Sequence, residues 1–344
     1  MRRAWFITSA SLALLALAGG PAASAAPIKV VTTLPAYASI AQYVGGANVQ
    51  AQSISRGDED AHFVKPKPSY ALMLKDADVF VTTGLDLELW APVLVDKSGN
   101  PKIRDGQPGF VNASRGVPLL EVPANPSRAA GDIHIYGNPH IFTSPLNAKI
   151  IAANIAAGLK RVDPANAAKY DQNLQAFNNQ TDRLLYGLDL PKILPSQQLD
   201  SLARQGKLIP FLQGQTYKGQ KLIDSLGGWL KKGMAFRGQE IVTYHRNWTY
   251  FTTLFGIVAA GDVEPKPGIP PSAKHVHELI EQMQKEKIKV VLAPNYFDPS
   301  QAQAIAQRTG AKSIIVPLGP ETIAADGYFK LIDLWVNKLA EAYS

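Results

Sequence analysis

The stretch IKVVTTLPAYASIAQYVGGANVQAQSI, residues 28–54, determines the fold class of this chain. Its first seven residues are mostly apolar and β-branched and are followed by Pro35, which predicts a largely buried strand over 28–34. The pattern that follows predicts a helix over 37–44, ended by two glycines, and then a second strand over 49–54. A strand, a helix and a strand in this order are typical of a parallel sheet that helices cover.

The alternation continues through the rest of the first half of the chain. A helix is predicted over 69–76, with Ser69 as its N-cap, and a third strand over 78–84. Because these strands are apolar along most of their length, we expect helices on both faces of the sheet. The order β-α-β-α-β therefore predicts an α/β lobe with a mainly parallel sheet.

A long polar-faced helix separates this half from a second strand-rich half. Apolar residues recur at helical spacing over 144–162, and a second helical stretch runs over 165–186 and stops at Gly187. The alternation then returns, with predicted strands over 241–244, 256–259, 288–293 and 313–316 and predicted helices over 248–255, 272–286, 299–309 and 328–343. The sequence thus predicts an α/β protein of two lobes, each a mainly parallel sheet flanked by helices, joined by one long rigid helix.

The domain boundaries follow from these elements. We expect an N-terminal α/β lobe over 26–160, a connecting long helix over 161–190 and a C-terminal α/β lobe over 191–344. Residues 198–238 are expected to be an elaboration of the second lobe. A length of 344 residues agrees with about two domains.

Residues 1–25 have the character of a signal peptide. Arg2 and Arg3 precede an apolar run over 10–18 that is too short to span a bilayer, and the small residues 23–25 permit cleavage. No later segment has about 18 consecutive uncharged apolar residues. The sequence therefore predicts a soluble periplasmic protein that does not span a membrane.

The composition excludes several classes of function. The chain has 0 cysteines, which excludes disulfides, thiolate metal sites and a cysteine nucleophile. Its net charge of +7 is not clustered, because the richest stretches, such as 285–289, are short or interrupted by an acid. We therefore expect no nucleic-acid binding. The phosphate-binding loop of ATPases and the Gly-x-Ser-x-Gly elbow of serine hydrolases are both absent from the sequence.

Three of the 6 histidines lie in loops next to predicted strands or helices. His62 follows the second strand, His140 lies just before the helix over 144–162, and His245 follows the strand over 241–244. In open parallel sheets ligands bind beyond the carboxyl ends of the strands, so these loops can converge on one crevice. Three neutral imidazoles would provide most of the tetrahedral shell of a zinc ion.

The other three histidines are assigned lesser roles. His275 and His277 lie at the solvated start of a helix and are predicted to be structural. His134 lies in a polar loop and is expected to contact a metal only transiently. The spacing of the three candidate ligands matches no local zinc motif, so spacing alone leaves a surface or hydrogen-bonded role open for each.

Four segments carry a resemblance to a known family. They are Asp60-Ala61-His62 with Pro66 to Ser69, Gly137-Asn138-Pro139-His140, Thr243-Tyr244-His245 with Trp248, Tyr250 and Phe251, and Glu264-Pro265-Lys266-Pro267-Gly268-Ile269-Pro270-Pro271-Ser272. With them the chain resembles the cluster A-I solute-binding proteins, which deliver zinc or manganese to ABC importers. The resemblance extends over nearly the whole chain after the signal peptide. It implies two lobes joined by one long helix, with the metal held between the lobes.

The resemblance also implies which residues bind the metal. The first three family ligands fall on His62, His140 and His245, and a histidine at the third position favours zinc over manganese, which prefers oxygen donors. Many members have an aspartate directly before a Pro-Leu-Gly segment, where this chain has Val316. We therefore expect water as the fourth ligand, or else a nearby carboxylate. The candidate carboxylates are Asp60, Asp298 and Glu321.

The function that the resemblance implies is capture of a divalent transition metal and its delivery to an ABC importer. The cargo is expected to be Zn²⁺, with Mn²⁺ as the alternative, and the partners are a membrane permease and its ATPase. We expect a monomer without enzymatic activity. Because protons compete with the metal for imidazole, zinc affinity is expected to fall as pH drops through about 6.5.

Two other functions remain open from the sequence. A secreted zinc hydrolase also uses three protein ligands and a water, but its helical His-Glu-x-x-His motif is absent, and one of the candidate carboxylates would have to be the general base. A binding protein for an organic solute could line its cleft with aromatic side chains, for which packing in the core is the alternative role. These side chains belong to Trp248, Tyr296, Phe297 and Tyr328.

Overall fold

The computed structural model describes residues 26–124, 134–266 and 268–344 and places them in two α/β lobes. The predicted signal peptide, residues 1–25, lies outside the described residues. Each lobe contains one four-stranded sheet whose paired strands are all parallel. The predicted fold class is therefore confirmed.

The first sheet has the strand order β2-β1-β3-β4. Its strands are β1 (Ile28–Thr32), β2 (Val49–Ser53), β3 (Val79–Thr82) and β4 (Phe110–Asn112). In the register of the sheet, Val30 lies between Ala51 of β2 and Val79 of β3. The sequence does not predict β4, because three residues at a sheet edge form too short an apolar run to be recognised.

Helices cover both faces of this sheet. They are α1 (Pro35–Gly45), α2 (Pro68–Lys75), α3 (Ala91–Ser98) and α4 (Pro145–Val162). Successive residues of a strand face opposite sides, so Val30 packs with α1 and α4, whereas Val31 packs with α2 and α3. The prediction of Ser69 as the N-cap of α2 is wrong, because the helix begins at Pro68 with Lys67 at the N-cap position. Proline suits the first helical position because that residue needs no N–H partner.

A long helix leads from the first lobe to the second. It is α5 (Ala167–Tyr186), which has 20 residues and follows α4 after a short 3₁₀ turn. Gly187 ends it with a φ of 87°, and a side chain at that position would collide with the backbone of Gly227. The joining helix is the one that the sequence predicts, and the boundaries of the connecting segment at 161–190 stay a prediction.

The second sheet has the strand order β10-β9-β7-β8. Its strands are β7 (Glu240–Thr243), β8 (Val258–Asp262), β9 (Val290–Pro294) and β10 (Lys312–Val316). The helices of this lobe are α10 (Thr249–Phe255), α11 (Ala273–Glu286), α12 (Pro299–Thr309) and α13 (Gly327–Tyr343). They agree with the predicted helices to within one residue at each end.

The segment between α5 and β7 consists of short elements. They are α6 (Leu190–Ile193), α7 (Ser196–Arg204), α8 (Leu208–Gly214), the hairpin of β5 (Thr216–Tyr217) and β6 (Gln220–Lys221), and α9 (Gly228–Gly233). Lys149 of α4 forms an ion pair with Asp200 of α7 at 2.8 Å, and Trp229 of α9 donates to Asp333 of α13 at 2.5 Å. Residues 198–238, which the sequence predicts to be an elaboration of the second lobe, thus contact α13 of that lobe and also α4 of the first lobe.

Among the described residues, no helix combines the length and the apolar character that crossing a bilayer requires.

Candidate metal centre

Four histidines come together where loops of the two lobes meet. His62 lies in the loop after β2, His134 and His140 precede α4, and His245 directly follows Tyr244 at the end of β7. Each offers one ring nitrogen, and these four nitrogens all lie within 4.8 Å of one another. The site is thus built from loops beyond the carboxyl ends of strands in both sheets, where open α/β sheets bind their ligands.

The three histidines that the sequence selects lie side by side. The ring centroids of His62 and His140 are 5.1 Å apart, those of His62 and His245 are 5.6 Å apart, and those of His140 and His245 are 5.5 Å apart. A tetrahedral zinc ion with Zn–N bonds of about 2.0–2.1 Å holds its nitrogens about 3.3–3.4 Å apart. The Nε2 atoms of His62 and His134 are already 3.2 Å apart, and because all four nitrogens lie within 4.8 Å of one another, small side-chain movements would bring the rest to zinc-binding distance.

In two of the rings, the Nδ1 atom is held by a polar neighbour. Nδ1 of His62 donates to Oδ1 of Asp60 at 2.8 Å, and Nδ1 of His140 donates to Oδ1 of Asn138 at 3.0 Å. A carboxylate or amide oxygen can only accept, so each of these contacts fixes the tautomer and leaves Nε2 without a proton. Such partners are typical of histidines that bind metals, because they orient the ring and raise the basicity of the ligand nitrogen.

His245 differs from these two in its hydrogen bonding. Its side chain is buried, and neither of its nitrogens has a hydrogen-bond partner among the described residues. Oε2 of Glu264 lies 3.2 Å from Nδ1, close enough for an ionic contact but outside hydrogen-bond geometry. Buried polar atoms are rarely left without a partner, and a metal ion at Nε2 would provide one.

The electrostatics of the cluster favour neutral imidazoles. Burial, followed by the proximity of His62 and His245, lowers the pKa of His134 from 6.5 to about 3. Burial and the neighbouring histidines also lower the pKa of His140 well below its usual value. Burial by itself raises the pKa of Asp60, but the hydrogen bond from His62 opposes it, and the net pKa lies below the usual range. At neutral pH, His134 and His140 are therefore in the form that binds metals.

The fourth position of the cluster differs from the sequence-based expectation. Water and three carboxylates are the expected candidates, whereas the structure brings His134 to the three other rings. The three candidate carboxylates have other positions. Asp60 accepts a hydrogen bond from Nδ1 of His62, on the side of the ring away from Nε2. Asp298 caps α12 by accepting from the backbone N–H of Ser300 at 2.9 Å, and Glu321 is exposed. The one sequence signal for His134 is its place six residues before His140 in a polar loop, which is too weak to predict a fixed ligand.

A small cavity adjoins the cluster. It has a volume of about 20 Å³ and is lined by Asp60, His62 and His140 from the first lobe and by Tyr296 and Gly319 from the second. A space of about 10–15 Å³ is needed to hold one water molecule. The cavity beside the histidines therefore fits a single particle the size of water or a metal ion.

A comparison with models of known protein families shows to which family the chain belongs. The model of the zinc-uptake complex component A periplasmic family, ZnuA, matches residues 30–186 and 213–342, which is most of the chain. The chain belongs to this family. The resemblance to metal-binding components of ABC transporters that the sequence motifs indicate is thereby confirmed.

Curated relatives and solved structures agree with the family assignment. The iron-binding protein YfeA of Yersinia pestis is 25% identical over 327 residues, which are 94% of this chain and 88% of that protein. The manganese ABC transporter substrate-binding lipoprotein PsaA of Streptococcus anginosus is 22% identical over 343 residues, which are 97% of this chain and 95% of that protein. A crystal structure of ZnuA superposes with a TM-score of 0.66 at 22% identity and covers 92% of this chain and 100% of that chain. The structural similarity shows the shared two-lobe fold.

Proposed function

We propose that this protein captures one divalent transition-metal ion, preferentially Zn²⁺, between its lobes and delivers it to an ABC importer. The ligands in this proposal are His62, His140 and His245, with His134 as the fourth. The observation that carries it is that ring nitrogens from both lobes lie within 4.8 Å of one another. One relative named as a manganese ABC transporter substrate-binding lipoprotein and another named as a high-affinity zinc uptake system protein support the same function.

The ligand set favours zinc over manganese. Imidazole suits zinc well, whereas manganese prefers carboxylate, carbonyl and water oxygens. Four imidazoles would complete the tetrahedral shell that zinc adopts. Manganese, which the PsaA relatives are named for, is the alternative cargo, and in that case we expect a carboxylate such as Asp60 to join the ligands.

A shell of neutral imidazoles also suits a carrier that must release its cargo. Each carboxylate ligand would add Coulombic attraction to a doubly charged ion, and a neutral imidazole adds none between net charges. In this proposal the two carboxylates beside the cluster act on the ion through histidine rings, since Asp60 holds Nδ1 of His62 at 2.8 Å and Glu264 lies 3.2 Å from Nδ1 of His245. The arrangement combines an ordered site with a moderate electrostatic barrier to release.

The size of the cavity and the closed ligand shell argue against the two other functions. An organic solute needs more space than about 20 Å³, and Trp248 and Tyr328 are completely buried in the core instead of lining a cleft. A catalytic zinc site keeps one coordination position open for water, and His134 would take that position here. We therefore propose a carrier without enzymatic activity.

The remaining parts of the proposal concern the cellular setting. We propose a monomeric periplasmic protein, exported by the signal peptide at 1–25, whose partners are a membrane permease and its ATPase. Relatives named as substrate-binding components of ABC transporters support these partners.

Metal analysis tests the proposal directly. Purified protein is stripped with a chelator, reloaded with zinc or manganese in separate samples, dialysed, and analysed by mass spectrometry for metal per chain. We expect one zinc ion per chain and displacement of manganese by zinc. The His277→Ala variant is the matched control, because His277 is an exposed histidine that pairs with Glu281 at 3.2 Å. Wild-type protein that retains neither metal would overturn the proposal.

A further inference from the structure

Asn247 is a buried polar residue in the turn between β7 and α10. It is 0% exposed, lies two residues after His245, and its backbone N–H donates to the carbonyl of His245 at 2.7 Å. This short turn fixes the position of the side chain at the histidine cluster. The sequence motifs assign no role to Asn247.

The amide of Asn247 contacts the nitrogen that His140 would present to a metal. Nδ2 of Asn247 donates to Nε2 of His140 at 3.0 Å and to the hydroxyl oxygen of Tyr296 at 3.2 Å. Because Nδ1 of His140 donates to Asn138, Nε2 is the acceptor in this pair and the nitrogen that remains for a ligand. Oδ1 of Asn247 is buried and has no hydrogen-bond partner among the described residues.

One lone pair on Nε2 cannot both accept a hydrogen bond and bind a metal. We propose that the amide of Asn247 competes with the metal for Nε2 of His140, turns over when the metal enters, and thereby sets how fast the cargo is released. The inference rests on the proposed function, because it assumes that His140 is a ligand. In this proposal, the buried amide of Asn247 has a role in both the metal-free and the metal-bound carrier.

The hydroxyl group of Tyr296 can pair with the amide of Asn247 in either orientation. Its hydroxyl group accepts from Nδ2 in the described arrangement, and after a half-turn of the amide it can donate to Oδ1. Burial keeps Tyr296 protonated by raising its pKa well above the usual value. The rotation therefore gives the unpartnered Oδ1 a donor at the same time as it frees Nε2 for the metal.

Two variants with opposite expected effects test this inference. Asn247→Leu keeps a similar volume and removes both the competing donor and the unpartnered oxygen, so zinc should bind about three- to tenfold more tightly and leave more slowly. Tyr296→Phe removes the donor for the rotated amide, so zinc should bind about three- to tenfold more weakly. In the double variant, the effect of Tyr296→Phe should disappear, because the amide on which it acts is gone.

Affinities and dissociation rates are measured with a chromophoric chelator, and melting curves of the metal-free proteins check that each variant is folded. Asn178→Leu is the matched control, because its Oδ1 is also buried without a partner but it lies on α5, which carries none of the four histidines. It should leave zinc affinity unchanged. Asn247→Leu protein that is folded but binds zinc with unchanged or lower affinity would overturn the inference.

A second readout needs no metal. In metal-free protein labelled with ¹⁵N-histidine, the Nε2 signal of His140 should move toward that of a free lone pair in Asn247→Leu and stay in place in Asn178→Leu. An unmoved signal contradicts the inference even if the wild-type protein binds zinc. Wild-type protein that binds no zinc while the signal moves overturns the proposed function and leaves the contact of Asn247 with His140 established.

Discussion

The two lobes contribute unequally to the histidine cluster. The first lobe contributes three rings, and in two of them, His62 and His140, an oxygen acceptor holds Nδ1. The second lobe contributes His245 alone, and neither of its nitrogens has a hydrogen-bond partner among the described residues. The first lobe thus contributes candidate ligands that hydrogen bonds orient, whereas the second lobe contributes one candidate ligand, His245, to which a bound metal would give a partner. For the proposed function, this difference predicts that the first lobe binds the metal first and that His245 of the second lobe completes the ligand shell.

The largest effect is expected from removing an ordered ligand of the first lobe. Structural zinc sites bind with about 10–16 kcal/mol, or roughly 3 kcal/mol for each of four ligands. His140→Ala should therefore weaken zinc binding by about 100- to 1,000-fold. Competition with a chelator of known affinity measures the loss. Stoichiometric zinc that survives dialysis with unchanged affinity would remove His140 from the site.

Removing the single ligand of the second lobe should have a smaller effect. His245→Ala leaves three rings of the first lobe in place, so we expect a loss of at most about 100-fold, with one zinc ion still bound at saturation. The same competition assay compares the two variants. If His245→Ala costs more affinity than His140→Ala, the second lobe dominates binding and the comparison between the lobes is reversed.

Replacing the carboxylates that lie beside Nδ1 of His62 and Nδ1 of His245 should compare the contributions of the two lobes to zinc affinity more finely. Asp60→Asn weakens the acceptor that Nδ1 of His62 uses, and partners of this kind contribute about tenfold or more to metal affinity. Glu264→Gln should cost less, since Glu264 lies 3.2 Å from Nδ1 of His245 without forming a hydrogen bond. Zinc titrations of the two isosteric variants test the order. Equal losses would show that the second lobe is as ordered as the first.

The smallest effect concerns the pH dependence of the metal-free protein. The folded-state pKa of His134 is lowered to about 3 and that of His140 is also lowered, so below about pH 6.5 the unfolded chain binds more protons than the folded chain. The free energy of unfolding should therefore fall as pH drops from 6.5 towards 3. Proton competition with zinc at these two rings should likewise begin below the value of 6.5 that the sequence suggests.

Melting temperatures of the metal-free protein between pH 7.5 and 4 measure this dependence. The His134→Ala variant should show a shallower loss of stability with falling pH than the wild-type protein, and His277→Ala should follow the wild type. A His134→Ala curve with the wild-type slope would show that burial does not depress the pKa of that ring.

Most of the fold can be predicted from the sequence, because it depends on apolar periodicity. The strand predicted over 28–34 is observed at 28–32, and the helix predicted over 299–309 is observed with the same bounds, because both segments have clear patterns and clear ends. The short strand β4 and the small helices between α5 and β7 cannot be predicted in this way. These helices have only 4 to 9 residues, which is shorter than the window of about 11–18 residues over which apolar periodicity is evaluated.

The site could be predicted less completely. His62, His140 and His245 follow from their loops and from the family resemblance, and the structure brings them together. His134 and Asn247 could not be selected, because neither has a local motif and their role depends on distances across the chain. Nδ2 of Asn247, for example, meets a ring nitrogen 107 residues away. The meaning of Val316 becomes clear only from the structure. Val316 stands where many family members have an aspartate, and in this chain His134 joins the cluster as the fourth histidine.

A zinc-bound crystal structure with anomalous data collected at the zinc edge tests the central claim most directly. We predict a single strong anomalous peak between the lobes, about 2.0–2.1 Å from one ring nitrogen of each histidine in the cluster. A peak bound by other residues, or rings of His62, His140 and His245 that share no common ion, would contradict the assignment of this site to metal capture.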